Sequence, residues 1–308
     1  MYVLYAHAEH WYQKRGCRLI EKHLENPQSI SNNLLTENLS HIKHRIVVFS
    51  GKGGVGKTTV SVNLAFAQKA LGYKSAILDA DITGPNVPKM LGIKDRTPVS
   101  RGRIQPHLYE GVKVVSTASL ISEAQPVIWR GPRRSKLLMQ FMRDVEWGDL
   151  DYLFVDLPPG TGDEVITVVE NIKPDLALVV TTPQEVALLD SARAINMAKH
   201  MNIPRIGLVE NMSGLICPEC HKLIDLFGMG GGNRQALEHD ITFIGSLPMD
   251  IGTRVLADEG MPVVLACPEK SISRKFKYFA RKVTIMLNTP SELCPPKIEV
   301  MEDHELQE

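Results

Sequence analysis

Ile46-Val47-Val48-Phe49-Ser50-Gly51-Lys52-Gly53-Gly54-Val55-Gly56-Lys57-Thr58-Thr59 decides the fold. The run Ile46 to Phe49 is short and wholly apolar, as a strand buried on both faces should be. It leads directly into Gly51 to Thr58, which satisfies G-x-x-x-x-G-K-[ST], and a helical pattern follows Lys57. Glycines let backbone N–H groups turn inward around phosphates, and the start of the following helix adds partial positive charge. Lys57 is placed to neutralise the β- and γ-phosphates of a nucleotide and Thr58 to ligate Mg2+, with Gly51, Gly53, Gly54, Val55, Gly56 and Thr59 completing the cradle. Strand, loop, lysine, hydroxyl and helix occur in that order, which a bare glycine turn does not require.

Outward from this loop the chain alternates short apolar runs with helical patterns. Strands are expected at Ser75 to Leu78, Tyr152 to Val155, Leu176 to Thr181, Ile206 to Val209 and Phe243 to Leu247, with a weaker one at Val112 to Val115. Helices are expected after Lys57 and over Arg133 to Val145, Glu185 to His200 and Ser271 to Met286. The alternation predicts an α/β fold, a doubly wound and mostly parallel sheet flanked by helices. Such sheets bind ligands at the carboxyl ends of their strands. Two of those ends are acidic, Asp79-Ala80-Asp81 and Asp156-Leu157-Pro158-Pro159-Gly160. Asp156 is the candidate for holding Mg2+ through water, whereas Asp79 reads almost as readily as a turn or helix cap. Gly160 and Gly162 give the second acidic segment a backbone free to respond to the γ-phosphate.

Composition excludes several classes. At 308 residues and 44% hydrophobic content the chain can bury a large core, and its 35 basic residues balance 35 acidic ones, so no whole-chain field draws it to nucleic acid or an anionic membrane. Cys17, Cys217, Cys220, Cys267 and Cys294 are odd in number and too sparse for a disulfide scaffold; they suit a reducing compartment. The first residues carry no apolar core, and Glu9, Glu21 and Glu25 oppose an acid-poor transit peptide. No apolar run reaches the roughly 20 residues of a membrane helix. The expectation is a cytoplasmic protein with a polar leader at 1–42, a P-loop domain at 43–288 and an acidic tail at 289–308.

Lys52, a second lysine inside the loop, makes it similar to the deviant Walker A of the MinD, ParA and nitrogenase iron-protein class. That resemblance implies a homodimer in which Lys52 reaches the partner's nucleotide, with Lys57 and Asp81 completing the catalytic set and Asp81 orienting the attacking water. Longer stretches narrow it. Asp79 to Asn86, Trp129-Arg130-Gly131-Pro132, Trp147-Gly148, Leu150-Asp151-Tyr152, Asp156 to Asp163, Val209-Glu210-Asn211-Met212-Ser213, Cys217-Pro218-Glu219-Cys220 and Phe227 to Gly232 together resemble the Mrp/ApbC family of iron-sulfur cluster carrier ATPases, over roughly residues 44–285. The resemblance implies slow hydrolysis of ATP with Mg2+, a 4Fe-4S cluster shared across the dimer, apo iron-sulfur proteins as recipients and separate cluster donors. It also implies that Asn211, Pro248 and Asp250 border the adenine. The chain departs from the pattern in having His221 where a glycine is usual, Thr58 where serine is common, and only Cys17 where one branch carries a further four-cysteine site.

Cys217-x-x-Cys220 offers two thiolates, and a 4Fe-4S cluster takes four, so two chains would complete the set. Zinc, with His221 adjacent, and a redox disulfide are the competing readings. A different class of function comes from Ser271 onward. Ile272, Phe276, Phe279, Val283 and Met286 form an apolar stripe beside Arg274, Lys275, Lys277, Arg281 and Lys282, as in a helix that binds membrane or DNA. The same stripe also fits a helix packed on the sheet, so neither membrane nor nucleic acid is expected as a partner. A MinD-like or ParA-like positioning ATPase is the alternative; an ATP-coupled ligase of the biotin-synthesis type has no identifiable substrate residues.

Overall fold

The structure, a computed structural model, describes residues 29–290 apart from 83, 96, 101–102, 118–137, 140–141 and 221. In chain order the elements are α1 (Ser29–Ser40), β1 (Ile42–Phe49), α2 (Lys57–Ala70), β2 (Ser75–Asp79), α3 (Val87–Met90), β3 (Val99–Ser100), β4 (Arg103–Ile104), β5 (His107–Tyr109) and β6 (Val112–Ser116). Then follow β7 (Leu150–Asp156), α4 (Asp163–Ile172), β8 (Leu176–Thr181), α5 (Glu185–His200), β9 (Ile206–Glu210), β10 (Leu215–Ile216), β11 (Leu223–Ile224), α6 (Gly231–Glu238), β12 (Thr242–Ser246), α7 (Ile251–Asp258), α8 (Val263–Ala266) and α9 (Ser271–Asn288).

One sheet runs in the order β12-β9-β8-β1-β7-β2-β6-β5, parallel throughout except for the β5–β6 edge pair. The chain leaves β1 for β2, then returns to insert β7 between them before crossing to β8 on the other side of β1. This reversal opens a crevice at the carboxyl end of β1, where the glycine loop begins. Alternation along β1 sends Val47 and Phe49 to one core, with Leu35, Val168, Ile195 and Ala236 from α1, α4, α5 and α6. Ile46 and Val48 enter the other, with Leu64, Val264 and Phe276 from α2, α8 and α9. Both faces are covered, so the doubly wound expectation holds.

Most expected strands and helices appear within a residue or a few of their sequence bounds, and β8 and α5 match them. Three expectations change. Residues 29–40 of the expected leader form α1, whose Leu35 and Leu39 are buried in the first core and whose Asn38 side chain donates to the Arg143 carbonyl. Of the helix expected over 133–145, residues 133–137 and 140–141 lie outside the described residues, 138–139 and 142–144 are helical as expected, and Val145 instead bridges Ile104. The last strand is shifted back by a residue, to Thr242–Ser246. Helix α4 was not anticipated, although Val165, Val168, Val169 and Ile172 bury one face at regular helical spacing. The apolar stripe of α9 lies in the second core, with Phe276 and Val283 at 1% and 0% exposure. Among the described residues no helix is long and apolar enough to cross a membrane.

Candidate functional site

The glycine loop is built by close approaches that side chains would block. Gly56 caps α2 in the left-handed region (φ 84°), and a Cβ there would lie 2.2 Å from Asn211 Nδ2. A Cβ on Gly51 would lie 2.1 Å from the Asp190 carbonyl of α5. Lys57, first residue of α2, is buried and its Nζ lies 2.9 Å from Asp156 Oδ2 at the end of β7. Thr58 Oγ1 donates to the same oxygen at 2.7 Å, and Ser61 Oγ donates to Asp156 Oδ1 at 2.6 Å. Ser61 escaped the sequence reading; its place three residues after Thr58, on the same helix face, was the available signal. A buried carboxylate with hydroxyl and ammonium partners is a hard-donor set that fits Mg2+ and phosphate. Thr58, and Asp156 through water, would hold the ion, which when bound supplies positive charge against the phosphoryl oxygens. On this reading a bound nucleotide would draw the Lys57 ammonium from Asp156 toward the phosphates.

A second carboxyl lies beside the first. Asp79 is the register partner of Asp156 across the β2–β7 pair, and both are fully buried. Asp79 Oδ2 accepts from Ser116 Oγ at 2.9 Å and from Val87 N at 3.2 Å. Burial, reinforced by the Asp156 charge, pushes its pKa up to about 8. Asp81 is buried in the following turn, where its Oδ1 accepts from Gly84 N at 3.0 Å. The segment after Asp156 is tied to the loop: Gly160 N donates to the Ser50 carbonyl at 2.9 Å. Lys52 is half-buried, and its carbonyl accepts from Ser50 Oγ at 2.8 Å.

The cysteine pair forms a knuckle. β10 and β11 pair antiparallel with Leu215 opposite Ile224 and Ile216 opposite Leu223, and Cys217 N donates to the Lys222 carbonyl at 3.0 Å. Backbone N–H groups of Cys220 and Glu219, then the Cys220 thiol, hold the Cys217 thiol below its ordinary pKa. A thiolate-favouring turn suits metal binding. Among the described residues, which leave out His221, no group of three His, Cys, Asp or Glu could hold a metal ion. Cys220 is exposed, and so are Ile216, Leu223 and Ile224 of the hairpin and Leu226, Phe227 and Met229 of the segment after it.

The chain that carries this phosphate loop and two-cysteine knuckle has close relatives. The family described as NUBPL iron-transfer P-loop NTPase, within the ParA group, matches residues 41–284. The chain belongs to this family. The iron-sulfur cluster carrier protein of Methanocaldococcus jannaschii is 48% identical over 254 residues, covering 81% of this chain and 87% of that protein. The protein of the same description from Escherichia coli is 40% identical over 262 residues, covering 84% and 71%. A nucleotide-binding protein of Archaeoglobus fulgidus, solved in complex with ADP, superposes with a TM-score of 0.67 at 38% identity, covering 75% of this chain and 92% of that one. The cell-division ATPase MinD of Pyrococcus furiosus, at 23% identity and TM-score 0.61, shares the fold. As a P-loop NTPase of this family the chain is an ATPase.

Within this iron-transfer NTPase the residues expected at the adenine are drawn into the structure's own contacts. Asn211 Nδ2 donates to the Val55 carbonyl at 2.9 Å, so its amide braces the phosphate loop. Asp250 caps α7, accepting from Thr253 N at 2.7 Å and lying 2.9 Å from Lys270 Nζ. Burial pushes the Asp250 carboxyl up, but the Lys270 ammonium and Thr253 outweigh it and hold the pKa below the usual range. Pro248 adjoins them, half-buried after β12.

Proposed function

We propose that this ATPase carries a 4Fe-4S cluster between two copies of itself, on Cys217 and Cys220 of each, and transfers it to apo iron-sulfur proteins. The observation that carries this reading is the knuckle. It offers an exposed thiol, Cys220, and a half-buried one, Cys217, with no third ligand assembled among the described residues, while a cubane takes four. The exposed apolar side chains around it favour contact with another protein surface, first of all a second copy. Lys52 would then reach the partner's nucleotide, and Asp81 would orient the attacking water, so that closure and hydrolysis are linked. Asn211, Pro248 and Asp250 would border the adenine. The exposed free thiols suit a reducing compartment, and we place the protein in the cytoplasm. The relatives' description as iron-sulfur cluster carriers supports delivery to recipient proteins.

The positioning-ATPase reading is weaker, because the apolar side of α9 that would meet a membrane is buried against the sheet. Anaerobic reconstitution followed by iron, sulfide and zinc analysis tests the proposal. Four irons per dimer with the absorption of a cubane support it. Stoichiometric zinc without iron sinks it.

A further inference from the structure

Glu210 ends β9 as a carboxylate with no exposure, one residue before Asn211 and a few before the knuckle. Oε1 accepts from Ser213 Oγ at 2.6 Å and from Gly230 N at 3.0 Å, and Oε2 accepts from Gly232 N at 2.5 Å. The run Gly228-Met229-Gly230-Gly231-Gly232 opening α6 has the form of an anion cradle, and the chain fills it with its own carboxylate. A Cβ on Gly232 would lie 3.0 Å from Glu210 Cβ, a tight contact that glycine avoids.

We propose that Glu210 is the positioning residue through which the nucleotide loop sets the placement of Cys217 and Cys220. This deepens the cluster-carrier reading and rests on it for the identity of the cargo. Two lines of contact leave Glu210 for the knuckle. Through Ser213 it fixes the loop between β9 and β10, which is further held by Ser213 N on the Leu247 carbonyl and Met249 N on the Gly214 carbonyl. Through Gly230 it fixes Met229, whose sulfur lies with Leu223 Cδ1 within 3.0 Å of where a Gly214 Cβ would stand. The knuckle's base is therefore clamped on two sides by one carboxylate. The adjoining residue, Asn211, holds the Val55 carbonyl, so movement of the loop on nucleotide binding is delivered to the backbone that Glu210 anchors.

The test reads the thiols of the full-length chain without cluster, by mass-resolved alkylation with iodoacetamide, with and without a non-hydrolysable ATP analogue and Mg2+. In the wild type, nucleotide should change the Cys217 and Cys220 rates by about fivefold or more, while exposed Cys267 serves as the reference. Glu210→Gln and Ser213→Ala should still bind the analogue, but with that ratio brought to about one. A merely structural role would change the rates equally in both conditions and leave the ratio. Variants that keep the wild-type ratio overturn the proposal, as does a wild type whose thiols ignore nucleotide. Should Glu210→Gln fail to fold, Ser213→Ala, which removes one of the bonds and leaves the carboxylate, decides alone. Metal analysis of reconstituted wild type stands apart: absent iron refutes the cargo, whatever the alkylation ratio shows.

Discussion

Asp79 and Asp156 face each other as register partners on adjacent parallel strands, yet the Lys57 ammonium is paired with Asp156. Asp79 has hydroxyl and backbone partners instead, from Ser116 and Val87. Like charges buried side by side cannot both be borne cheaply, so one carboxyl keeps its proton. That division supports the proposal that Asp156 holds the ion, with Asp79 as its protonated neighbour on the adjacent strand.

A pH dependence of stability follows. The unfolded chain releases the Asp79 proton near the ordinary value of 3.8, whereas the folded chain keeps it up to about 8. The stability this group contributes is complete below the unfolded value, declines as pH rises, and is lost through about pH 8. Urea midpoints should show the wild type losing stability relative to Asp79→Asn between pH 5 and 9. A difference from the variant that stays flat over that range would mean Asp79 is already ionised in the fold.

Lys57→Ala should act twice. It removes the cation placed to meet the phosphates, and it leaves Asp156 with the Thr58 and Ser61 hydroxyls as its side-chain donors among the described residues. Loss of one partner from a buried pair costs about 3 kcal/mol, reduced here by those two hydroxyls. Nucleotide titration should find binding or turnover severely weakened in a protein that remains folded but has a lower urea midpoint. Unchanged affinity and turnover would remove the phosphate-loop assignment.

Lys52→Ala separates from it. Lys57 is locked into the buried site, whereas Lys52 is half-buried in the loop. The variant should retain appreciable ATP binding and lose both hydrolysis and the nucleotide-dependent dimer. Normal turnover, measured beside light scattering of the oligomer, would end the case for a lysine acting across the interface.

The parts legible in the sequence are those where one constraint dominates. A strand buried on both faces must be apolar, and a loop that wraps phosphate must be glycine-rich, so β1, Gly51 to Gly56 and Lys57 declared themselves. Ser61 and Ser116 did not, because a hydroxyl in a helix or strand has many neutral uses and only the fold brings both to the acids. Glu210 was visible within a motif but without a role, since its partners Gly230 and Gly232 are some 20 residues away and its burial is a tertiary fact. The two-residue strands β10 and β11 are too short to carry any periodicity, so the spacing of Cys217 and Cys220 announced the knuckle while its hairpin stayed hidden. Helix α1 has weak patterning; Leu35 and Leu39, four apart, were the cue that it packs.

The shared cluster can be tested through its ligand count. If each subunit contributes Cys217 and Cys220, replacing either by Ser should remove the iron-sulfur absorption of reconstituted protein and leave ATP binding intact, since the knuckle and the Lys57–Asp156 site are separate clusters of residues. That result alone does not distinguish a bridging cluster from one held within a single chain. A heterodimer of one wild-type and one Cys217→Ser/Cys220→Ser subunit does, because it presents two thiolates where the bridging site needs four. Its cluster should be lost or far more labile than that of the wild-type dimer, measured as absorption decay under a chelator. A heterodimer that keeps half the wild-type iron with wild-type lability would show that each chain binds its cargo alone, and the bridging model would fall while the ATPase assignment stood.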